Sequence, residues 1–306
     1  MSLGLNNVSR FSDEAAQGSD DGAWSARLKR IKNCLVCPSC RGDLTFEPEA
    51  VKCQACAALY PVKNDKINFI PSLHSNDARD SLLGHLRRRM GNLYYIIGVN
   101  IISPDFPFNF KREIYRHLDP SQQLVLDIGS GNHRISPDVI TVDQVDYDNA
   151  DLVCDLSELP IKPGSIDAFV SNSVLEHVHK FEAMTKRLSE CTRPGGLGIH
   201  QLPFMYPFHA SPHDYRRLTH AGVRDIFGEW EILEQYNVAG PVTLFLICFV
   251  EFLSVIASFG RPTLKYYFYL LFCLLLFPIK FLDAPFIKRK AFLGMAPKIL
   301  TVFRKP

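Results

Sequence analysis

The run Val125-Leu126-Asp127-Ile128-Gly129-Ser130-Gly131 places a carboxylate and two glycines where an apolar strand ends. A strand that turns sharply beneath a ligand needs residues that reach positive φ and put no Cβ between backbone and ligand. Gly129 and Gly131 meet that need, although any sharp strand-to-helix turn can use two glycines. Asp127 narrows the ligand. It would repel a dinucleotide pyrophosphate, and the third glycine of G-x-G-x-x-G is absent, with His133 and Arg134 nearby instead. A carboxylate here suits a cofactor with a positive amino group, as at the methionine end of S-adenosylmethionine.

Further acids follow in order. Residues 139–143 read as a second β-branched strand ending in Asp143, which can accept hydrogen bonds from both ribose hydroxyls. Residues 151–156 read as a third, whose Asp155 can accept the adenine amino group. Residues 166–172 form a fourth strand, followed by a helical segment over 174–178 and Arg193-Pro194-Gly195-Gly196 before a fifth strand over 197–202. Each acid singly has the ordinary role of a cap or turn residue. Three of them closing successive strands of one sheet point to a shared ligand.

Over residues 125–196 the chain resembles a class I S-adenosylmethionine-dependent methyltransferase of the type 11 kind. The matching pieces are VLDIGSG, Asp143, CDLSELP, GSIDAFVSNSVLEHV and RPGG. The resemblance implies an α/β fold with a doubly wound, mostly parallel, Rossmann-like sheet. It also implies a cofactor site in which Asp127, Gly129 and Gly131 meet the methionine part, Asp143 the ribose, and Asp155 with the Leu156 amide the adenine, with Asn172 beside them. Two departures stand out. Only residues 132–138 separate the glycine turn from strand two, so the usual first helix is cut to about two turns or less. His133 also replaces the third small residue.

Cys37-Pro38-Ser39-Cys40 and Cys53-Gln54-Ala55-Cys56 are two C-x-x-C knuckles twelve residues apart, a spacing that closes a tetrahedral thiolate site for structural zinc. Disulfides are the alternative, and a cytosolic setting disfavours them. With Arg41-Gly42-Asp43-Leu44 and Leu59-Tyr60-Pro61-Val62, this piece resembles the small zinc-ribbon subunit that activates several methyltransferases. Its simplest role is a metal-built core for a segment too short to fold alone. Cys34, Cys154, Cys191, Cys248 and Cys273 are expected to be packed hydrophobes or unneeded as ligands.

Acceptor chemistry is expected after strand five. Residues 203–219 are rich in proline and aromatics and leave the carboxyl edge of the sheet, where open α/β sheets place ligands. His213 and Tyr215, with His177 after strand four, are the candidate catalytic residues, weighed against a purely structural lid. Methyl transfer needs alignment and, for a hydroxyl acceptor, a base.

The 306 residues carry a formal net charge of +2. Residues 252–306 hold nine Lys or Arg against one Asp, leaving −6 for the remainder. Overlapping that basic tail, 241–259 is apolar but for Glu251 and 266–279 carries no charge, with 260–265 as an expected turn, the whole inserted between a sixth strand (229–238) and a seventh (298–304) that return as an antiparallel pair. An insertion between two strands of one sheet leaves and re-enters on the same side. An interfacial hairpin with Lys288-Arg289-Lys290 at anionic headgroups is therefore expected, rather than a span. A dimer contact or internal packing is the plainer alternative.

The expected organisation is a disordered N-terminus over 1–33, a zinc ribbon over 34–72, a helical connector over 73–120, a methyltransferase domain over 121–239, an apolar membrane-facing hairpin over 240–294 and the last strand over 295–306. Residues 1–22 lack the apolar run of a secretory signal, which favours a cytoplasmic protein held peripherally at the membrane face. The expected activity is methyl transfer to an oxygen or nitrogen of a small, lipophilic or lipid-linked acceptor, with no nucleic-acid partner. The alternatives are an RNA or protein methyltransferase using the ribbon as a partner surface, and a catalytically silent cofactor-binding scaffold.

Overall fold

A computed structural model describes residues 24–71, 89–90, 93, 97–98, 101, 103–208 and 213–306. Residues 73–88 of the expected helical connector lie outside them, as do residues 209–212 of the segment expected to carry acceptor chemistry.

The central strands are short apolar runs buried on both faces, as parallel strands are when both sides are covered. They are β5 (Val125–Ile128), β6 (Ile140–Asp143), β7 (Leu152–Val153), β8 (Ile166–Asn172) and β9 (Thr192–Pro203). The sheet runs β7-β6-β5-β8-β9 in parallel, then β11 (Lys298–Arg304) and β10 (Glu231–Asn237) antiparallel. This is the expected doubly wound arrangement, with both late strands where they were read. The Arg193-Pro194-Gly195-Gly196 turn is a bulge within β9, with Gly195 at φ +74.

Side chains alternate across the sheet. On β8, Phe169 faces a core shared with Phe227, Trp230 and Phe303, whereas Ala168 and Val170 face the helix α2 (Phe110–His117). The first core is also covered by α3 (Phe181–Cys191) and by α1 (Ala26–Ile31) through Leu28 and Ile31.

The N-terminal segment forms part of the same sheet. Strands β1 (Leu44–Phe46), β2 (Ala50–Cys53), β3 (Leu59–Lys63) and β4 (Lys66–Asn68) continue it, because β4 pairs in parallel with β7, Ile67 opposite Leu152. The β3–β4 hairpin turns on Asn64 and Asp65, both at positive φ, as the twist of a tight hairpin demands. Lys66 donates to the Tyr147 carbonyl at 2.6 Å and pairs with Asp146, so β4 holds the loop that follows Asp143.

Residues 24–33 correct the expectation of a disordered N-terminus. Ser25 caps α1 by accepting from the Leu28 N–H at 3.3 Å, and burial of Leu28 and Ile31 offsets the cost of ordering so short a helix. Arg30 donates to the carbonyls of Asp138, Pro120 and Gln123 at 2.7–2.8 Å, and Arg27 to Asp151 at 2.9 Å.

The short helix α4 (His220–Asp225) precedes β10, and the insertion between β10 and β11 contains α-helices of its own. These are α5 (Pro241–Ala257) and α6 (Pro262–Leu276), packed through Leu246, Val250 and Cys273. The turn is tighter than expected: α6 starts at Pro262, not beyond Lys265, because proline suits the first helical position and Lys265 pairs with Glu251 across the hairpin. Buried Asp283 ties the base together, accepting from the N–H groups of Gly240, Val242 and Thr243 at 2.7–3.0 Å.

Candidate active site and four-cysteine cluster

The glycine turn closes the carboxyl end of β5. Gly129 (φ +66) and Gly131 (φ +57) occupy the left-handed region, and a Cβ on Gly129 would sit 2.4 Å from the Val174 side chain. A Cβ on Gly131 would meet nothing within 4 Å, so that side of the turn is open. Asp143, at the end of β6, accepts from the Gly131 N–H at 2.8 Å and the Val145 N–H at 2.9 Å. Asp127 is 3% exposed, and its carboxylate has no hydrogen-bond partner among the described residues. Burial, then the Asp143 charge, pushes its carboxyl well above the usual range, with only Arg134 opposing.

Between β5 and β6 there is no helix at all, a stronger departure than the shortened one expected. Arg134 replaces its restraint. The guanidinium grips both carboxylate oxygens of Asp151 at 2.8 and 3.0 Å and donates to the carbonyls of Val139 and Asn149. His133 is exposed beside this loop.

Asp155 follows β7 and caps a single 3-10 turn, its Oδ1 accepting from the Ser157 N–H and hydroxyl at 2.8 and 2.7 Å, with Leu156 buried next to it. Asn172 ends β8, exposed, its Oδ1 accepting from Gln201 Nε2 at 2.7 Å. The seven expected cofactor residues thus lie at the carboxyl ends of adjacent strands β7, β6, β5 and β8. A buried acid without a cation and open glycine backbone form a donor and acceptor set that fits an adenosyl amino acid.

His177, His213 and Tyr215 also meet. His177 Nδ1 lies 2.6 Å from the His213 carbonyl, the His213 and Tyr215 rings are 5.5 Å apart, and the Tyr215 N–H donates to the Glu176 carbonyl at 2.8 Å. Arg216 and Arg217 pin this loop, through the Val178 carbonyl at 2.8 Å and through Asp214 with the Tyr206 and Pro207 carbonyls.

Glu176, passed over in the sequence as part of a helical segment, is 2% exposed. Burial pushes its carboxyl up to about 7 from 4.5. The native state therefore binds this proton more tightly than the unfolded chain, and stability falls as pH rises from 4.5 to about 7. Glu176→Gln is expected to remove that slope, gaining roughly 3 kcal/mol over the parent above pH 7. Urea unfolding at pH 5 and pH 8 reads it out; equal pH dependence in both proteins would refute it.

A cleft of about 750 Å³ is bounded by Asp105, Phe106, Phe108, Asn172, Gln201 and Lys298, sharing Asn172 with the expected cofactor residues.

The sulfurs of Cys37, Cys40, Cys53 and Cys56 all lie within 4.8 Å of one another, with Cys37 to Cys56 at 3.7 Å and Cys40 to Cys53 at 3.4 Å. A tetrahedral thiolate site with bonds of about 2.3 Å separates its sulfurs by about 3.8 Å, so the four fit one ion. Tyr60 OH lies 3.0 Å from Cys37 Sγ, and a Cβ on Gly42 would come within 3.3 Å of both Cys40 and Cys53 Sγ.

Residues 126–199 match the methyltransferase domain family. The chain is a methyltransferase. The acids and glycines above fit S-adenosylmethionine as the methyl donor. Among solved structures it is similar to a chain of the Haloferax volcanii complex of the Trm112 methyltransferase activator with a methyltransferase, at 16% identity and TM-score 0.44, covering 76% of this chain and 99% of that one. Haemonchus contortus phosphoethanolamine N-methyltransferase 2 gives 16% identity, TM-score 0.46 and coverage of 74% and 57%. Burkholderia thailandensis 1,6-didemethyltoxoflavin-N1-methyltransferase gives 13%, 0.42, and 86% and 98%. No curated protein matches the chain.

Proposed function

We propose that this methyltransferase acts on an oxygen or nitrogen of a small, lipophilic or lipid-linked acceptor at the cytoplasmic face of a membrane. The observation that carries the reading is the outer surface of α5 and α6. Phe245, Phe252, Phe259, Tyr267 and Leu275 all point outward, Phe259 at 91% exposure and Tyr267 at 64%. Contiguous apolar surface of this kind marks an interaction site. The helical run Pro262–Phe286, with mean hydropathy 1.7, is long and apolar enough to cross a membrane. Asp283 and Lys280 nevertheless tie its end to the domain, Lys280 by donating to the Ser103 carbonyl at 2.5 Å. That attachment, and the adjacency of β10 and β11, favour a hairpin lying in the interface. Lys288 is engaged by Glu113 at 2.8 Å, which leaves Arg289 and Lys290 for anionic headgroups.

In the site, Asp127 holds the amino group of the donor, Asp143 its ribose hydroxyls, and Asp155 with the Leu156 amide its adenine. Asn172 lies beside the transferred methyl, and His177, His213 and Tyr215 border the acceptor. The acceptor lone pair attacks the methyl carbon in line, the carbon–sulfur bond breaks, and a neutral thioether leaves; the acceptor proton passes to a base or to water. The four cysteines hold a structural zinc that takes no part in the transfer.

Flotation with anionic liposomes tests the location. The full chain is expected to float, and a variant with Phe245, Phe252, Phe259 and Tyr267 changed to serine is expected to stay in solution while still binding S-adenosylhomocysteine. A quadruple variant that floats like the parent would overturn the interfacial reading.

A further inference from the structure

Asn172 and Gln201 are register partners at the carboxyl ends of β8 and β9, and their side chains are joined amide to amide at 2.7 Å. Both line the 750 Å³ cleft. Gln201 is 7% exposed, and its Oε1 is buried with no hydrogen-bond partner among the described residues. Turning both amides over would leave the linking hydrogen bond intact and orphan the nitrogen instead, so one buried amide atom lacks a partner either way. Such an atom is costly unless something else satisfies it. Phe106, Phe108, Val238 and Ala239 give the cleft an apolar stretch of wall, beside the ion pair of Lys298 with Asp105 at 2.5 Å. An apolar stretch of wall beside an unmet amide acceptor is the composition of a site that orients a ring or chain by a protic group.

We propose that Gln201 is a specificity-determining residue for the methyl acceptor, its Oε1 accepting the hydrogen bond of the O–H or N–H group that is to be methylated. The inference rests on the methyltransferase reading and deepens it, by naming the acceptor as an apolar, ring-sized molecule with a protic hydroxyl or amine. Asn172 holds the amide of Gln201 in the orientation that presents Oε1. A molecule of the same shape without the protic group leaves Oε1 unmet and is disfavoured.

The test uses the full chain saturated with S-adenosylhomocysteine, and phenol, aniline and toluene as probes, titrated by ligand-observed NMR. Phenol and aniline are expected to bind about tenfold more tightly than toluene, the discrimination one satisfied buried acceptor gives. Gln201→Leu is expected to bring the three together while cofactor affinity is retained, and Gln201→Glu, which keeps an acceptor oxygen, is expected to keep the order. Should Gln201→Leu fail to fold, the near-isosteric Gln201→Met makes the same comparison. Equal binding of the three probes by the parent chain, or a preference that persists without the acceptor oxygen, would overturn the proposal. Failure of the parent to bind S-adenosylhomocysteine would instead strike the methyltransferase reading itself.

Discussion

Stripping the metal from the four-cysteine site is expected to unfold residues 34–70 and to weaken cofactor binding at the same time. Structural zinc contributes about 10–16 kcal/mol to such a segment. That exceeds what a ribbon this small draws from its own core. The loss should spread because the ribbon is stitched to the sheet. Ile67 pairs opposite Leu152, Val36 N–H donates to the Pro160 carbonyl at 2.9 Å, and Arg41 donates to the Leu159 carbonyl at 2.8 Å. Lys66 grips the loop directly after Asp143. Hydrogen exchange before and after chelation should show lost protection in β1 to β4 and β7. Cys53→Ser should behave as the chelated protein does; a variant with full metal content and unchanged exchange would contradict this.

The second large effect is expected at the two acids. Asp127→Asn and Asp143→Ala should each weaken S-adenosylhomocysteine binding ten- to a hundredfold, since a hydrogen bond to a charged group is worth about 1.5–3 kcal/mol. Asp143→Ala should also loosen the turn, because it orphans the Gly131 and Val145 N–H groups. Asp127 adds a pH signature. Burial raises its carboxyl in the free protein, and a cationic amino group bound beside it favours the ionised form. Affinity should therefore rise with pH until Asp127 is already ionised in the free protein, and the rise should vanish in Asp127→Asn. Thermal shifts at graded pH read both effects.

Much of the sheet is legible because its strands are apolar, β-branched runs, β5 and β6 among them ending in acids and glycines. β5, β6, β8 and β11 stand where that pattern puts them. The join between ribbon and sheet is not legible. It rests on Lys66–Asn68 meeting Leu152–Val153, two elements too short to carry a period, and depends on Leu35, Arg41 and Lys66 finding partners far along the chain. Helix α1 is hidden for a similar reason, since six residues give no periodic signal and its stability comes from Leu28 and Ile31 in a distant core. Proline at position 262 was a local signal for the start of α6, masked by the charges of Arg261 and Lys265. Glu176 and Gln201 draw their interest from burial, which only the fold creates.

The central claim is that the turn and acids at the ends of β5, β6 and β7 hold the methyl donor. Calorimetric titration of S-adenosylhomocysteine into the full, metal-loaded chain, run in two buffers of different ionisation enthalpy, tests it most directly. Saturable single-site binding with net proton release is predicted. Absence of binding by a protein whose fold and metal content are intact would contradict the account.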